Sequence, residues 1–326
     1  MGSVRLHVPT SVHLFGHDPA TYRPHAVHAE ERTYHETNCY TDLLIELLHA
    51  HGDEPLAALG SNVRMDFEGD QWTFFKPSPS DIESLFGVDI HEMQPYRPLP
   101  LQIAELLGEK RTLTVEVDSW YLPDTMATSY RTEHVKSSIA AEAIDLEGER
   151  LRYYHNTSLY ELDGDDYRGV FRLGADAADA LPPYTELVRF DAGRQLRGAE
   201  LQAASLAMLR EHLARIPSTN PFVRFGERLE ADLPALLGGD VNDYHAYAFA
   251  TVRMAGAGFE LTTAHLDWLL GRSAERASAA MGRIVEGSKL LGFKLARRRP
   301  FDPEPIMRDL AGAWDEAMTA LAEAAR

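Results

Sequence analysis

The chain has 326 residues, 44% of them apolar and 9% aromatic, which is material for two domains or one large one. Its 32 basic and 50 acidic residues give a formal net charge of −18, which argues against a general nucleic-acid binder or a polybasic membrane anchor. One cysteine excludes an internal disulfide framework and a cysteine-based zinc site. No stretch approaches a membrane span, and the first residues lack the apolar core of a signal peptide, so the cytoplasm is the expected compartment.

In chain order, an irregular lead-in of about 30 residues comes first and is rich in histidine: His7, His13, His17, His25 and His28. A helix is predicted from Cys39 to about His51, with Leu43, Leu44, Leu47 and Leu48 on its apolar face and Gly52 as its stop. Thr37 or Asn38 would cap it, which puts the lone cysteine in the first turn. There the helix dipole and unpaired N–H groups favour a thiolate. A buried, inert thiol is the competing reading, since free cysteines are among the most buried residues.

A short helix over 53–59 and a strand over 63–67 follow. Glu68-Gly69-Asp70 then reads as a turn between two strands. Short helices are expected over 80–86 and 99–107. Alternating β-branched residues predict a strand over 112–118, broken at Tyr121-Leu122-Pro123-Asp124. The next strands are expected over 134–145, opened by His134, and over 150–155, as an antiparallel pair.

Near residue 195 the composition changes to alanine and leucine at helical spacing. Helices are predicted over 198–216, 221–237, 241–257, 261–270, 274–293 and 303–325. The resulting fold class is α+β: residues 1–195 form a domain with an antiparallel sheet, and residues 196–326 form a helical domain.

A cysteine nucleophile needs a histidine base, and that base needs an orienting group. In a papain-like arrangement the cysteine starts a helix packed on a sheet. The histidine heads a strand, and an Asn or Asp comes from a neighbouring strand. The order Cys39, His134, Asn156 fits this pattern. His155 is an alternative base, and Asp118 is a rival third member. The Cys39 backbone N–H and the Asn38 side-chain amide are candidate oxyanion donors.

A loose metal cluster of His25, His28, His35 and Glu36 with Asp118 and Asp124 is the competing idea. No fixed-spacing metal motif accompanies it, and no glycine pattern matches a phosphate loop or dinucleotide site, so neither a metal nor a tightly bound cofactor is expected. In the helical half, His245, Arg253, Glu260, His265 and Lys289 recur among apolar neighbours, as pocket residues or as helix–helix ion pairs. Lys289, Lys294, Arg297, Arg298 and Arg299 form the main basic cluster of the chain.

Glu36-Thr37-Asn38-Cys39-Tyr40, the run Asp66 to Lys76, Val115 to Asp118, Tyr121 to Asp124, Tyr154-His155-Asn156 and Phe293 to Ala296 resemble the bacterial family called domain of unknown function 1839. The helix-initial cysteine, the Val-Asp-x-Trp-Tyr-Leu-Pro run and the histidine-led strand are also similar to the butirosin-type acyltransferases, over residues 36–165. That second resemblance implies a papain-like domain followed by a helical one. It puts the nucleophile on Cys39 and the base on His134, while relatives of that topology often use Asp where this chain offers His155-Asn156.

The reaction it implies is transfer of an aminoacyl group to a small-molecule amine acceptor. The donor would be a thioester on the phosphopantetheine arm of an acyl or peptidyl carrier protein. The basic cluster at 289–299 would dock that carrier. A cysteine hydrolase using the same residues, or a non-catalytic binding protein, are the alternatives.

Overall fold

The computed structural model describes residues 10–28, 32–34, 36–174 and 181–326, so His7 and His35 lie outside the described residues. The strands are β1 (Ser11–His13), β2 (Phe67–Glu68), β3 (Gln71–Trp72), β4 (Asp89–Met93), β5 (Arg111–Asp118), β6 (Lys136–Asp145), β7 (Arg150–His155), β8 (Ser158–Asp163) and β9 (Thr185–Arg189). The α-helices are α1 (Cys39–His51), α2 (Pro79–Phe86), α3 (Leu99–Gly108), α4 (Gly164–Val170), α5 (Gly198–Leu213), α6 (Pro221–Gly238), α7 (Val241–Ala248), α8 (Met254–Leu270), α9 (Glu275–Ala296) and α10 (Glu304–Ala324). The protein is therefore α+β, with an antiparallel sheet and a helical C-terminal region. Among the described residues no helix is long and apolar enough to cross a membrane.

Two compact units emerge. The first comprises residues 1–26, 39–55 and 82–196, and the second comprises 27–38, 56–81 and 197–326.

The first unit is built on the sheet, ordered β4-β9-β5-β6-β7-β8, with every neighbouring pair antiparallel. β5 covers β6 only from Lys136 to Ala140; β1 pairs with the remaining end, Ala143 to Asp145. A bulge lies between Ala141 and Ala143. The Glu142 carboxylate there accepts the backbone N–H groups of Gly16 at 2.6 Å and His17 at 3.0 Å, which fixes the chain leaving β1.

Helix α1 packs on β6 and β7. Every residue from Thr41 to Leu48 is buried, not only the leucine face expected from periodicity. The polar member Glu46 is tolerated because its carboxylate accepts from the Tyr22 hydroxyl at 2.6 Å and the His25 N–H at 3.0 Å. Tyr22 and His25 of the lead-in thus lie against α1.

In the second unit, the β2–β3 hairpin turns at Gly69, whose φ of 68° suits glycine. It inserts Phe67 and Trp72 among helix aromatics. Trp72 lies 4.8 Å from Phe222 and 6.3 Å from Phe259, and Phe67 lies 5.1 Å from Phe225 (ring centroids).

Three sequence expectations change here. The helix expected over 53–59 is a 3-10 helix, Pro55–Arg64. It takes the first two residues of the strand expected over 63–67, and Val63 and Met65 are buried without strand pairing. The helices expected to separate near residues 257–261 form one continuous run through a π-helical turn, Phe249–Arg253. Gly256 and Gly258 do not break that run. They are places of close approach: a Cβ would sit 2.4 Å from the Tyr34 ring at Gly256 and 2.2 Å from the Met65 sulfur at Gly258.

Candidate functional site

Strand β5 ends at Asp118 because that side chain caps the following turn, its Oδ1 accepting the Trp120 N–H at 3.0 Å. The chain then passes through two short 3-10 turns, Ser119–Tyr121 and Pro123–Thr125. It returns so that the Val135 carbonyl accepts the Ser119 N–H at 2.8 Å. The return delivers His134 to the end of β5. There its Nδ1 lies 2.6 Å from Asp118 Oδ2, and its ring stacks on Trp120 at 4.5 Å with planes 9° apart. A carboxylate only accepts, so Nδ1 donates and Nε2 is left as the basic nitrogen. The His134 side chain is 67% exposed, so that nitrogen is open to an incoming molecule.

Asp118 and Lys136 are register partners on β5 and β6, and partners share a face of the sheet. Lys136 Nζ is 2.8 Å from Glu116 Oε1, two residues back on β5 and on that same face. Burial works against the Lys136 charge. The hydrogen bond to Glu116, its charge, and the negative charge available at Cys39 outweigh it, so the pKa of Lys136 is raised. Cys39 opens α1 as a half-buried free thiol within electrostatic reach of Lys136.

A cleft of about 520 Å³ opens at this end of β5, lined by Glu116, Asp118, His134, Lys136, Arg172 and Tyr184 among others. Below it, the buried Glu186 carboxylate takes hydroxyl hydrogen bonds from Tyr40 at 2.7 Å, Thr114 at 3.1 Å and Tyr184 at 3.0 Å. Burial and the Glu186 hydrogen bond push the Tyr184 hydroxyl up to about 12, so it stays a protonated donor.

The other sequence candidates fall elsewhere. His155 sits next to Asn156, but strand parity sends it to the opposite face from Lys136. Its Nε2 lies 2.6 Å from Ser137 Oγ and its Nδ1 2.5 Å from Asp124 Oδ2, and Tyr153 donates to Asp124 Oδ1 at 2.5 Å. His155 is therefore enclosed in a buried chain of hydrogen bonds, with only 1% of its side chain exposed.

Asn156 occupies the β7–β8 hairpin turn with φ 45°, a conformation asparagine tolerates. The place beside His134 expected for Asn156 is held instead by Asp118. Asn38 is buried, and its amide donates to the Phe75 carbonyl at 3.1 Å. Among the described residues, no group of three or more His, Cys, Asp or Glu side chains is placed to hold a metal ion. In the second unit, Glu260 pairs with Arg32 at 3.2 Å and accepts the Thr33 and Tyr34 N–H groups. His265 is fully buried against the Leu56 carbonyl.

Sequence reasoning missed Lys136, Glu116 and Trp120. The signal was there: Glu116 and Asp118, and His134 and Lys136, are each two apart, so strand alternation places them together.

Family models match the chain across nearly its whole described length: DUF1839 N-terminal domain over residues 23–190 and DUF1839 C-terminal domain over residues 198–323. The chain belongs to the DUF1839 family. No curated protein matches it.

Proposed function

We propose that the protein is a cysteine-dependent acyltransferase whose first unit works as a papain-like domain. The observation that carries this reading is the open His134 Nε2, held by Asp118 and Trp120 beside the Asp118–Lys136 register pair, on the sheet against which the helix opened by Cys39 packs. Asp118 takes the orienting role, and Asn156 keeps its turn.

In the first half-reaction, Cys39 Sγ attacks the carbonyl carbon of a thioester on the phosphopantetheine arm of a carrier protein. His134 Nε2 accepts the thiol proton. The Cys39 N–H at the start of α1 stabilises the oxyanion. The carbon–sulfur bond to the arm breaks, the arm leaves as a thiol with the proton from His134, and an acyl-cysteine remains.

In the second half-reaction a small-molecule amine attacks that carbonyl and gives its proton to His134. The Cys39 sulfur leaves and is reprotonated, and the product is an amide. The aminoacyl group, the carrier protein and the basic cluster at Lys289, Lys294, Arg297, Arg298 and Arg299 as its docking face all belong to this proposal.

Hydrolysis is the second reading, favoured by the exposure of His134, which admits water as acceptor. Intact-protein mass spectrometry after mixing with aminoacyl-pantetheine thioesters tests the first step. An acyl mass gain on wild type and none on Cys39→Ala supports it. No gain on either, across a panel of thioesters, overturns it. Amide product in the presence of amines, against free acid alone, separates transferase from hydrolase.

A further inference from the structure

The second unit carries a cleft of its own, of about 390 Å³. One wall is Ala248, Val252 and Arg253, at the π-helical turn; another is Ser288, Lys289 and Gly292, on α9. Each wall is followed by a large apolar side chain left in water: Phe249 is 50% exposed and Phe293 is 54% exposed. Each of these rings carries a guanidinium, Arg253 at 5.4 Å from the Phe249 centroid and Arg297 at 4.5 Å from that of Phe293.

Lys289, Phe293 and Arg297 follow at intervals of four, so they form one stripe along α9. Lys289 and Lys294 have no acidic partner among the described residues, whereas Glu36 and Glu260 on this side already bind Arg253 and Arg32. Arg298 behaves differently. It takes a left-handed φ of 50° just past the helix end and donates to the Gly239 carbonyl.

Each wall of the cleft is thus followed by a half-exposed ring, and the cations here contrast with a chain at −18. We infer that this cleft is the docking surface for an acidic helical partner protein. The apolar side of an amphipathic helix seats between Phe249 and Phe293, and its carboxylates meet Lys289, Lys294 and Arg297. The rest of so acidic a chain repels such a partner, so the basic rim sets where it lands. The inference rests on the carrier-protein reading above. It adds the apolar anchors and removes Arg298 from the contact.

The test compares two donors of one aminoacyl group: a free pantetheine thioester and the same thioester on a phosphopantetheinylated carrier protein. In the wild type the carrier-borne donor should acylate Cys39 at a half-saturating concentration at least tenfold lower. The double variant Lys289→Glu/Arg297→Glu, and separately Phe293→Ser, should lose that advantage while keeping the rate with the free donor. All three residues are exposed, so the fold should survive. Equal rates for wild type and variants on the carrier-borne donor, or equal losses on both donors, overturn the inference.

If neither donor acylates Cys39, the enzymatic reading fails and docking is decided alone, by titrating the carrier protein into the Cys39→Ala protein with and without the charge reversal. Binding abolished by the reversal upholds the surface. No binding, or binding only of anionic vesicles or nucleic acid, overturns it.

Discussion

Two histidine–aspartate pairs lie on opposite faces of one sheet, with nearly the same geometry. His134 and Asp118 are 2.6 Å apart, and His155 and Asp124 are 2.5 Å apart. The second pair even continues to a serine hydroxyl, Ser137. Access separates them: His134 stands exposed at the end of β5, whereas His155 is sealed beneath the turns that follow β5. A hydrogen-bonded acid–base pair is therefore not by itself a reactive site. In one place it holds an exposed histidine in front of an open cleft, and in the other it ties a loop to two strands.

The comparison can be broken most forcefully at the open pair. His134→Ala should lower the rate of Cys39 acylation by about 10²–10⁴-fold with little change in stability, measured as single-turnover adduct formation. Asp118→Ala should fall in the same direction by at least about tenfold, and because it also removes the cap on the Trp120 N–H it should cost about 1–2 kcal/mol in urea unfolding.

The buried pair predicts the reverse. Asp124→Ala strands a histidine and a tyrosine hydroxyl in the interior and should cost about 2–4 kcal/mol in urea unfolding. Its acylation rate per folded molecule should stay near wild type. A loss of rate in the folded Asp124 variant would show that the two faces act together.

A third histidine sharpens the role of burial. His265 has no carboxylate, and burial, opposed by the Leu56 carbonyl, lowers its pKa from 6.5 to about 4. An unfolded chain takes up that proton below about pH 6.5, while the folded chain refuses it until about pH 4. Its contribution is thus complete above pH 6.5 and lost as the pH falls through this window, on the order of 3 kcal/mol in all. Urea midpoints from pH 7 to 4.5 should decline less steeply in His265→Gln than in wild type. The smallest effect is expected at the stack. Trp120→Leu should slow acylation about 2–5-fold, and Trp120→Phe should restore most of the rate.

Much of this was legible because local pattern and tertiary packing agree. α1 begins at Cys39 and ends at His51, β7 runs from Arg150 to His155, and α6 starts at Pro221, all at predicted positions. Caps, turn residues and alternation determine such boundaries. β4, β8 and β9 were not legible. Charged and turn-forming residues run through Asp89–Met93 and Ser158–Asp163 and mask those strands, and β9 acquires its meaning only from partners about 70 and 100 residues earlier.

The partner of His134 was legible in part, with Asn156 preferred and Asp118 as its rival. Asn156 lies beside a histidine in sequence, but a sheet reverses faces at each residue. Asp118 reaches His134 only because the loop between them folds back, which no local pattern encodes.

The hairpin that buries Phe67 and Trp72 has a consequence for synthesis. Their partners Phe222, Phe225 and Phe259 leave the ribosome as many as ~190 residues later, roughly 10–40 s at ordinary elongation rates. For that interval two large aromatics wait without a home while the sheet-bearing unit can already close around them in sequence. A nascent chain of this protein should therefore be most prone to chaperone capture after Leu196 and before Phe259, and a fragment ending near residue 196 should aggregate through residues 56–81 rather than behave as an isolated domain.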